Sequence, residues 1–239
     1  MSSDGPLLVV DGLTRRFDGG SVRALDDVSF HAGAGEVVAV TGPSGCGKST
    51  LLALVGLLDQ PTGGRVLLAG QDLARVRRPG AFRARHVGFV FQFHHMLPTM
   101  TLRENVEAPM VAVGVPRRER GRRAAELLRR VDLEHRMHFL PADVSGGERQ
   151  RAAVARALAN TPTVVLADEP TGNLDSKNGA RIADLLVEQA RSVGALVLLA
   201  THNPDVARVA DRSLELLDGR LVADRRFEVV PGGRVTASD

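Results

Sequence analysis

The chain has 239 residues, 44 % of them apolar, and a formal net charge of +3. That length supports one large core, or a core with a satellite subdomain. No apolar run approaches the ~20 residues that cross a bilayer, residues 1–6 show neither a basic nor an apolar leader segment, and the single cysteine, Cys46, excludes an internal disulfide and fits a reducing compartment. The isoelectric point of about 9.9 invites a nucleic-acid reading. With no Trp or Tyr and only 3 % aromatics, however, a stacking platform for single strands is poorly supplied, and no nucleic-acid partner is expected.

In chain order, residues 7–10 and 22–30 read as strands, with Asp18-Gly19-Gly20 as the turn between them. Residues 36–41 form a short apolar, β-branched run, predicting a buried strand. It runs into Gly42-Pro43-Ser44-Gly45-Cys46-Gly47-Lys48-Ser49-Thr50, and residues 51–55 continue as a helix. Strand, glycine loop and helix is the setting that the pattern G-x-x-x-x-G-K-[ST] needs to bind a nucleoside triphosphate. Glycines at 42, 45 and 47 let successive backbone N–H groups face one concavity, and the helix start adds partial positive charge. Lys48 would reach the β- and γ-phosphates and Ser49 would ligate Mg²⁺. Of the 31 basic residues only Lys48 and Lys177 are lysine, so a compact ammonium stands here against an arginine background. Phe17, upstream of this loop, either stacks on an adenine ring or packs the turn; its position leaves both open.

Residues 59–64 read as a loop, 65–68 as a strand and 70–72 as a turn; the five arginines in 75–85 read as a solvated face. Residues 86–91 form another buried-type strand, with Gln92 at its end, where ligand groups collect in an open parallel sheet. An amide there can reach Mg²⁺ or an attacking water. His94 and His95 are adjacent and so point apart, without other ligands at metal-site spacing. Residues 104–115 and 117–131 read as helices, the second started by Pro116 and carrying Leu127, Leu128 and Val131 as its apolar stripe.

Ser145 and Glu148 have capping-box spacing before the helix-forming run 152–159. Gly146 and Gly147 bare the N–H groups of that helix start, which suits an anion as well as a cap. Residues 163–167 are a continuous apolar strand that delivers Asp168 and Glu169. Asp168 would hold Mg²⁺, and Glu169 would act as general base on a water. A loop over 171–175 leads to a helix over 176–190, and residues 195–201 form the last core strand, with His202 at its end. A short helix follows to about 210, then a hairpin over 212–217 and 220–223; residues from about 225 to 239 are expected to be a loose tail.

With these pieces in order, residues 7–224 resemble the nucleotide-binding domain of an ATP-binding-cassette (ABC) transporter. The resemblance rests on the phosphate loop Gly42 to Ser49, Gln92 as the Q-loop glutamine, Ser145-Gly146-Gly147-Glu148-Arg149-Gln150 as the signature, Asp168 and Glu169, Asp175 in the D-loop and His202 as the switch histidine. Two positions depart from the usual pattern: Val144 stands where the signature opens with Leu, and Phe17 where the stacking aromatic is Tyr. Phe91 to Thr101, Glu104-Asn105-Val106 and Thr171 to Asp175 resemble the lipoprotein-releasing, macrolide-export and antimicrobial-peptide-resistance branch.

The resemblance implies a single α/β domain over 1–239: a P-loop NTPase core with a parallel sheet, an N-terminal antiparallel β subdomain and an inserted α-helical subdomain at about 93–160. It implies ATP and Mg²⁺ as ligands. Phe17, Gly42 to Thr50, Ser145 to Glu148, Asp168 and Asp175 would bind nucleotide; Ser49, Gln92 and Asp168 the metal; Glu169, His202 and Gln92 would serve hydrolysis. It further implies a head-to-tail homodimer, a separate transmembrane permease and a place on the cytoplasmic face of the cell membrane. A DNA-repair ATPase of the superfamily would need a long coiled coil between Ser49 and Ser145, where no heptad run exists. A cell-division-type regulator that transports nothing shares this chemistry and is the alternative reading.

Overall fold

The computed structural model describes residues 5–229 and 235–238, and the side chains of that set except 176–177, 228–229 and 235–238. The chain divides into two compact units, one made of the residues up to Pro79 together with those from Leu196 on, the other of Gly80–Ala195.

In the first unit, β1 (Leu8–Phe17) and β2 (Val22–Ala32) form an antiparallel pair, joined through a 3-10 turn at Asp18–Gly20. Val28, Phe30 and Ala32 are buried while Ser29 and His31 between them are exposed, the period-2 alternation of a one-sided sheet. The β3 strand (Val37–Thr41) is buried on both faces over its first four residues and opens the phosphate loop, which leads into α1 (Lys48–Val55). Antiparallel to β1 lies β4 (Gly63–Leu68), and the expected turn at 70–72 contains a two-residue strand, β5 (Gln71–Asp72), paired with β4.

The second unit begins its elements with α2 (Pro79–His86) and β6 (Val87–Phe91). Three helices follow: α3 (Leu102–Ala112), α4 (Arg117–Arg130) and α5 (Gly146–Ala157). Their apolar faces meet in one cluster that includes Leu102, Val106, Met110, Ala124, Leu128 and Val144. Val144, the departure at the signature's first position, is thus a core residue. The apolar stripe of α4 is centred on Ala124 and Leu128, with Val131 buried just past its end and Leu127 only partly covered. The α3 helix starts two residues earlier than the periodicity predicts, because Thr101 and Glu104 close a full capping box. β7 (Val164–Asp168) runs parallel to β6, and α6 (Ser176–Ser192) follows it.

The chain then returns to the first unit. β8 (Leu196–Ala200) is buried at all five positions and lies parallel to β3, α7 (Pro204–Ala207) is short, and β9 (Arg212–Leu217) lies parallel to β3 on its other edge. β10 (Arg220–Val229) pairs antiparallel with β9. The loose tail expected from about 225 is corrected here: β10 continues to Val229, and Arg226–Val229 pair antiparallel with β11 (Val235–Ser238). Residues 230–234 and 239 lie outside the described set. Arg212, 5 % exposed, ties this region together, donating from Nε to Asp224 Oδ1 at 2.6 Å and from Nη1 to the His31 carbonyl at 2.7 Å. Its guanidinium holds the Asp224 carboxyl below the usual carboxylate range. No helix among the described residues is long and apolar enough to cross a membrane.

Candidate functional site

The first unit supplies the phosphate loop. Gly42 has φ 136° and Gly47 φ 107°. A Cβ at Gly42 would stand 2.1 Å from the Leu216 carbonyl oxygen, and one at Gly47 2.4 Å from that of Ala24. Both positions therefore need glycine twice over, for the left-handed backbone and for the close approach of a neighbouring strand. Lys48 is only 7 % exposed, and its Nζ donates to the carbonyls of Gly42 and Pro43 at 2.8 and 2.9 Å. The ammonium is thereby held across the loop before any anion arrives. Cys46 Sγ is buried and lies 3.9 Å from the same Nζ. Pro43, Ser44, Gly45 and Ser49 are exposed and Thr50 half-buried, so the outer side of the loop and the first turn of α1 are open. The Cys46 carbonyl accepts the Gly219 N–H at 3.1 Å, which anchors the loop to the β9–β10 turn.

His202 follows β8, whose successor Thr201 is buried and donates its N–H to the Val40 carbonyl at 3.0 Å. A cavity of about 550 Å³ is lined by Gly42, Pro43, His202, Asn203 and Phe227. The structure thus brings the switch-histidine candidate and the start of the phosphate loop around one space, although the two are 160 positions apart in sequence. Phe17 ends β1 and is 37 % exposed, with the Arg15 guanidinium 4.5 Å from its ring centre.

The second unit supplies the carboxylates and the glutamine. Phe91 and Asp168 are register partners at the ends of β6 and β7, so Gln92 and Glu169 leave neighbouring strands side by side. Glu169 holds a left-handed backbone, φ 46°. Asn173 Nδ2 donates to the Gln92 carbonyl at 2.9 Å, and Gln92 Nε2 donates to Asn173 Oδ1 at 3.3 Å. A Cβ on Gly172 would lie 2.8 Å from Gln92 Nε2, so a side chain at 172 would push the glutamine amide from its present place. Asp175 caps α6, accepting the Asn178 N–H at 3.0 Å.

The signature segment is a complete capping box. Ser145 N–H and Oγ–H donate to Glu148 Oε2 at 2.8 and 2.7 Å, and Ser145 Oγ accepts the Glu148 N–H at 3.3 Å. These donors, the backbone N–H first, hold the Glu148 carboxyl below its ordinary range. A Cβ on Gly147 would meet nothing within 4 Å, and one on Gly146 only the Arg149 guanidinium at 3.9 Å. Neither glycine is required by packing among the described residues.

Sequence reasoning passed over three residues around Gln92. Asn173 pairs with it, Gln150 on α5 reaches the Phe91 carbonyl, and Arg156 on α5 holds the carbonyls of His94 and His95. Asn173 and Gln150 stood inside motifs already singled out; nothing local marked Arg156.

The profile of the ABC transporter family matches residues 25–172. The chain is 47 % identical over 213 residues to an uncharacterized ABC transporter ATP-binding protein of Thermotoga maritima, covering 88 % of this chain and 91 % of that one. It is 44 % identical over 230 residues to the macrolide export ATP-binding/permease protein MacB of Sodalis glossinidius, covering 95 % of this chain but 35 % of that larger protein. Among solved structures it is similar, at 36 % identity and a TM-score of 0.83, to the ATP-binding cassette MJ0796 in a dimeric post-hydrolysis state bound to ADP and Pi. That match covers 92 % of this chain and 98 % of that one.

Proposed function

The chain belongs to the ABC transporter family, and we propose that it is the ATP-hydrolysing subunit of a transporter whose membrane-spanning permease is a separate chain. The observation that carries this reading is the phosphate loop, whose two sterically obligatory glycines and carbonyl-held Lys48 stand at a helix start with Pro43, Ser44, Gly45 and Ser49 exposed. Lys48 and the backbone N–H groups of the loop Gly42 to Thr50, all but that of Pro43, bind the phosphates of ATP, and Phe17 stacks on the adenine. Ser49, Asp168 and Gln92 offer the hard oxygen donors that Mg²⁺ prefers, which fits these residues to that ion. Bound there, Mg²⁺ would neutralise charge on the β- and γ-phosphates.

Glu169 takes a proton from the attacking water as the bond between the γ-phosphorus and the β,γ-bridging oxygen breaks, releasing ADP and phosphate. Gln92 orients that water, and His202 contacts the γ-phosphate. The second half of each site comes from another copy: Ser145, Gly146 and Gly147, with Asp175 near the junction, approach the partner's nucleotide. The open space over Gly146 and Gly147 supports this part, since their missing side chains serve no contact within the chain. The ATP-bearing dimer is head-to-tail in this reading, and the dimeric state of the similar cassette MJ0796 supports the association of two copies. ATP favours the closed dimer because only that state offers both half-sites, and hydrolysis reopens it.

A permease docked near residues 93–115 would place the chain on the cytoplasmic face of the membrane. The MacB relative, which joins ATP-binding and permease parts in one name, supports a membrane partner. The test is affinity capture of the full chain from detergent-solubilised membranes, followed by reconstitution of the captured partner in vesicles. An integral-membrane partner that moves a substrate when ATP is supplied supports the reading. A partner that is captured but moves nothing replaces it with the regulatory alternative.

A further inference from the structure

Just beyond Gln92 the backbone makes a turn that no local pattern explains. His94 and His95 both hold left-handed conformations, φ 61° and 45°. Two consecutive residues with side chains in that region are strained, and such strain persists only where the surroundings hold it. Within the turn, His94 N–H bonds to the Phe91 carbonyl at 3.2 Å and His95 N–H to that of Phe93 at 2.6 Å. The clamp comes from outside. Arg156, on α5, donates Nη1 to the His95 carbonyl at 2.7 Å and Nη2 to the His94 carbonyl.

Two more contacts join the same partners. Gln150, six positions earlier on α5 and 1 % exposed, points Nε2 at the Phe91 carbonyl from 3.5 Å. The His94 ring interacts with the backbone of Gly146, at the start of α5. The Gln92 segment is thus held to one helix on both sides, at Phe91 before it and at His94 and His95 after it. That helix carries Ser145 to Gly147 at its N-terminus. Arg156 has no carboxylate partner among the described residues, and burial disfavours its charge. A half-buried guanidinium forked onto two adjacent carbonyls does more than fill space, which an apolar side chain would do without desolvation cost.

We propose that Arg156 is a positioning residue: it locks the left-handed His94–His95 turn, thereby sets the place of Gln92, and makes the Gln92 segment and the signature helix move as one body. The proposal rests on the reading of Gln92 as a residue of the hydrolytic step. It also gives a physical route by which a change at the nucleotide facing Gln92 is felt at the helix start that serves the partner's nucleotide. A two-donor fork is what two adjacent carbonyls require, and lysine offers one nitrogen in its place.

The experiment is steady-state ATP hydrolysis by the full chain, with rates normalised to ADP-binding sites so that only folded protein is counted. Arg156→Gln is expected to lower kcat by roughly tenfold or more while ADP affinity shifts by less than about threefold, the pattern of a group that acts on the reaction and not on nucleotide binding. In a Gln92→Ala background the same substitution should change kcat by less than about twofold, since the residue it acts through is gone. His95→Gly, which relieves the left-handed strain, should restore about threefold or more to Arg156→Gln. If Arg156→Gln fails to fold, Arg156→Lys takes its place in the cycle, with a smaller loss in the same direction.

Equal losses in the two backgrounds, with Gln92→Ala itself impaired, would overturn the route through Gln92. An absence of rescue by His95→Gly would overturn the strain-holding role. A Gln92→Ala chain with an unchanged kcat marks a different failure, that of the role of Gln92 itself, and the clamp then has nothing to act on.

Discussion

At Cys46 the chemistry of one side chain meets the geometry of the loop around it. The thiol is 4 % exposed, it lies under Gly42 so closely that a Cβ there would be 2.8 Å from Sγ, and it is 3.9 Å from Lys48 Nζ. A maleimide adduct has no room in that packing, so the thiol reacts only when the loop opens locally. The native chain should label roughly tenfold or more slowly than the chain in denaturant, and MgATP bound to the loop as proposed should slow labelling further. Completed labelling should abolish hydrolysis, and Cys46→Ala, provided its hydrolysis is measurable, should become insensitive. The check is mass-spectrometric labelling run beside an ATPase assay. Equal sensitivity of Cys46→Ala would mean that inhibition does not act at this loop, for the chain has no other thiol. The same residue scale explains the glycines: Gly42 and Gly47 answer to carbonyls of Leu216 and Ala24, not only to the turn they make.

Among the elements, α5 depends most on how it begins. Its box of Ser145 and Glu148 satisfies orphan N–H groups in both directions, and Ser145→Ala should cost about 1 kcal/mol of stability. The Glu148 part carries a pH signature. Donation from Ser145, backbone first and hydroxyl second, depresses the folded pKa. A depressed carboxylate stabilises the fold above its unfolded value, about 4.3, and that contribution is lost as pH falls through the folded value. Thermal melts of wild type and Glu148→Ala should therefore differ most near neutral pH, and the gap should narrow below about pH 4. A gap of constant size down to pH 3 would show that the charge on Glu148 contributes nothing to the cap. The α3 helix opens with an equivalent box at Thr101 and Glu104 that the substitution leaves intact, so the change reports on α5 alone.

For the whole molecule the proposed function turns on association. Glu169→Gln keeps the size and hydrogen bonding of the side chain while removing its basicity, and loss of a positioned base lowers the rate about 10²- to 10⁴-fold. Lys48, Ser49 and Asp168 are untouched, so nucleotide binding persists while opening by hydrolysis stops. In size-exclusion chromatography with light scattering, Glu169→Gln should run as a dimer with ATP and a monomer with ADP. Adding Ser145→Arg should abolish that dimer, because a bulky cation would then face the partner's nucleotide. A Glu169→Gln chain that binds ATP, hydrolyses none and stays monomeric at micromolar concentration would overturn a self-sufficient dimer and point to closure on the proposed permease.

Most of the candidate site was legible in contiguous residues, because its requirements are local. A glycine loop between a strand and a helix, a carboxylate at the end of an apolar strand and a serine three positions before a glutamate each state their geometry within a few bonds. The α/β plan followed for the same reason: β3, β7 and β8 are short apolar runs of the length of buried parallel strands. What the tertiary structure alone decided was which distant residues press on these motifs. Leu216 closes over Gly42, Asn173 grips Gln92, and Arg156 holds a strained turn at His94 and His95 that no glycine announces. The burial of Cys46 and the strand made by Val235–Ser238 belong to the same class. Contacts of this kind leave no period and no spacing in the chain. They depend on which surfaces folding brings together, and a side chain such as Arg156 shows its purpose only once the carbonyls it serves have been placed beside it.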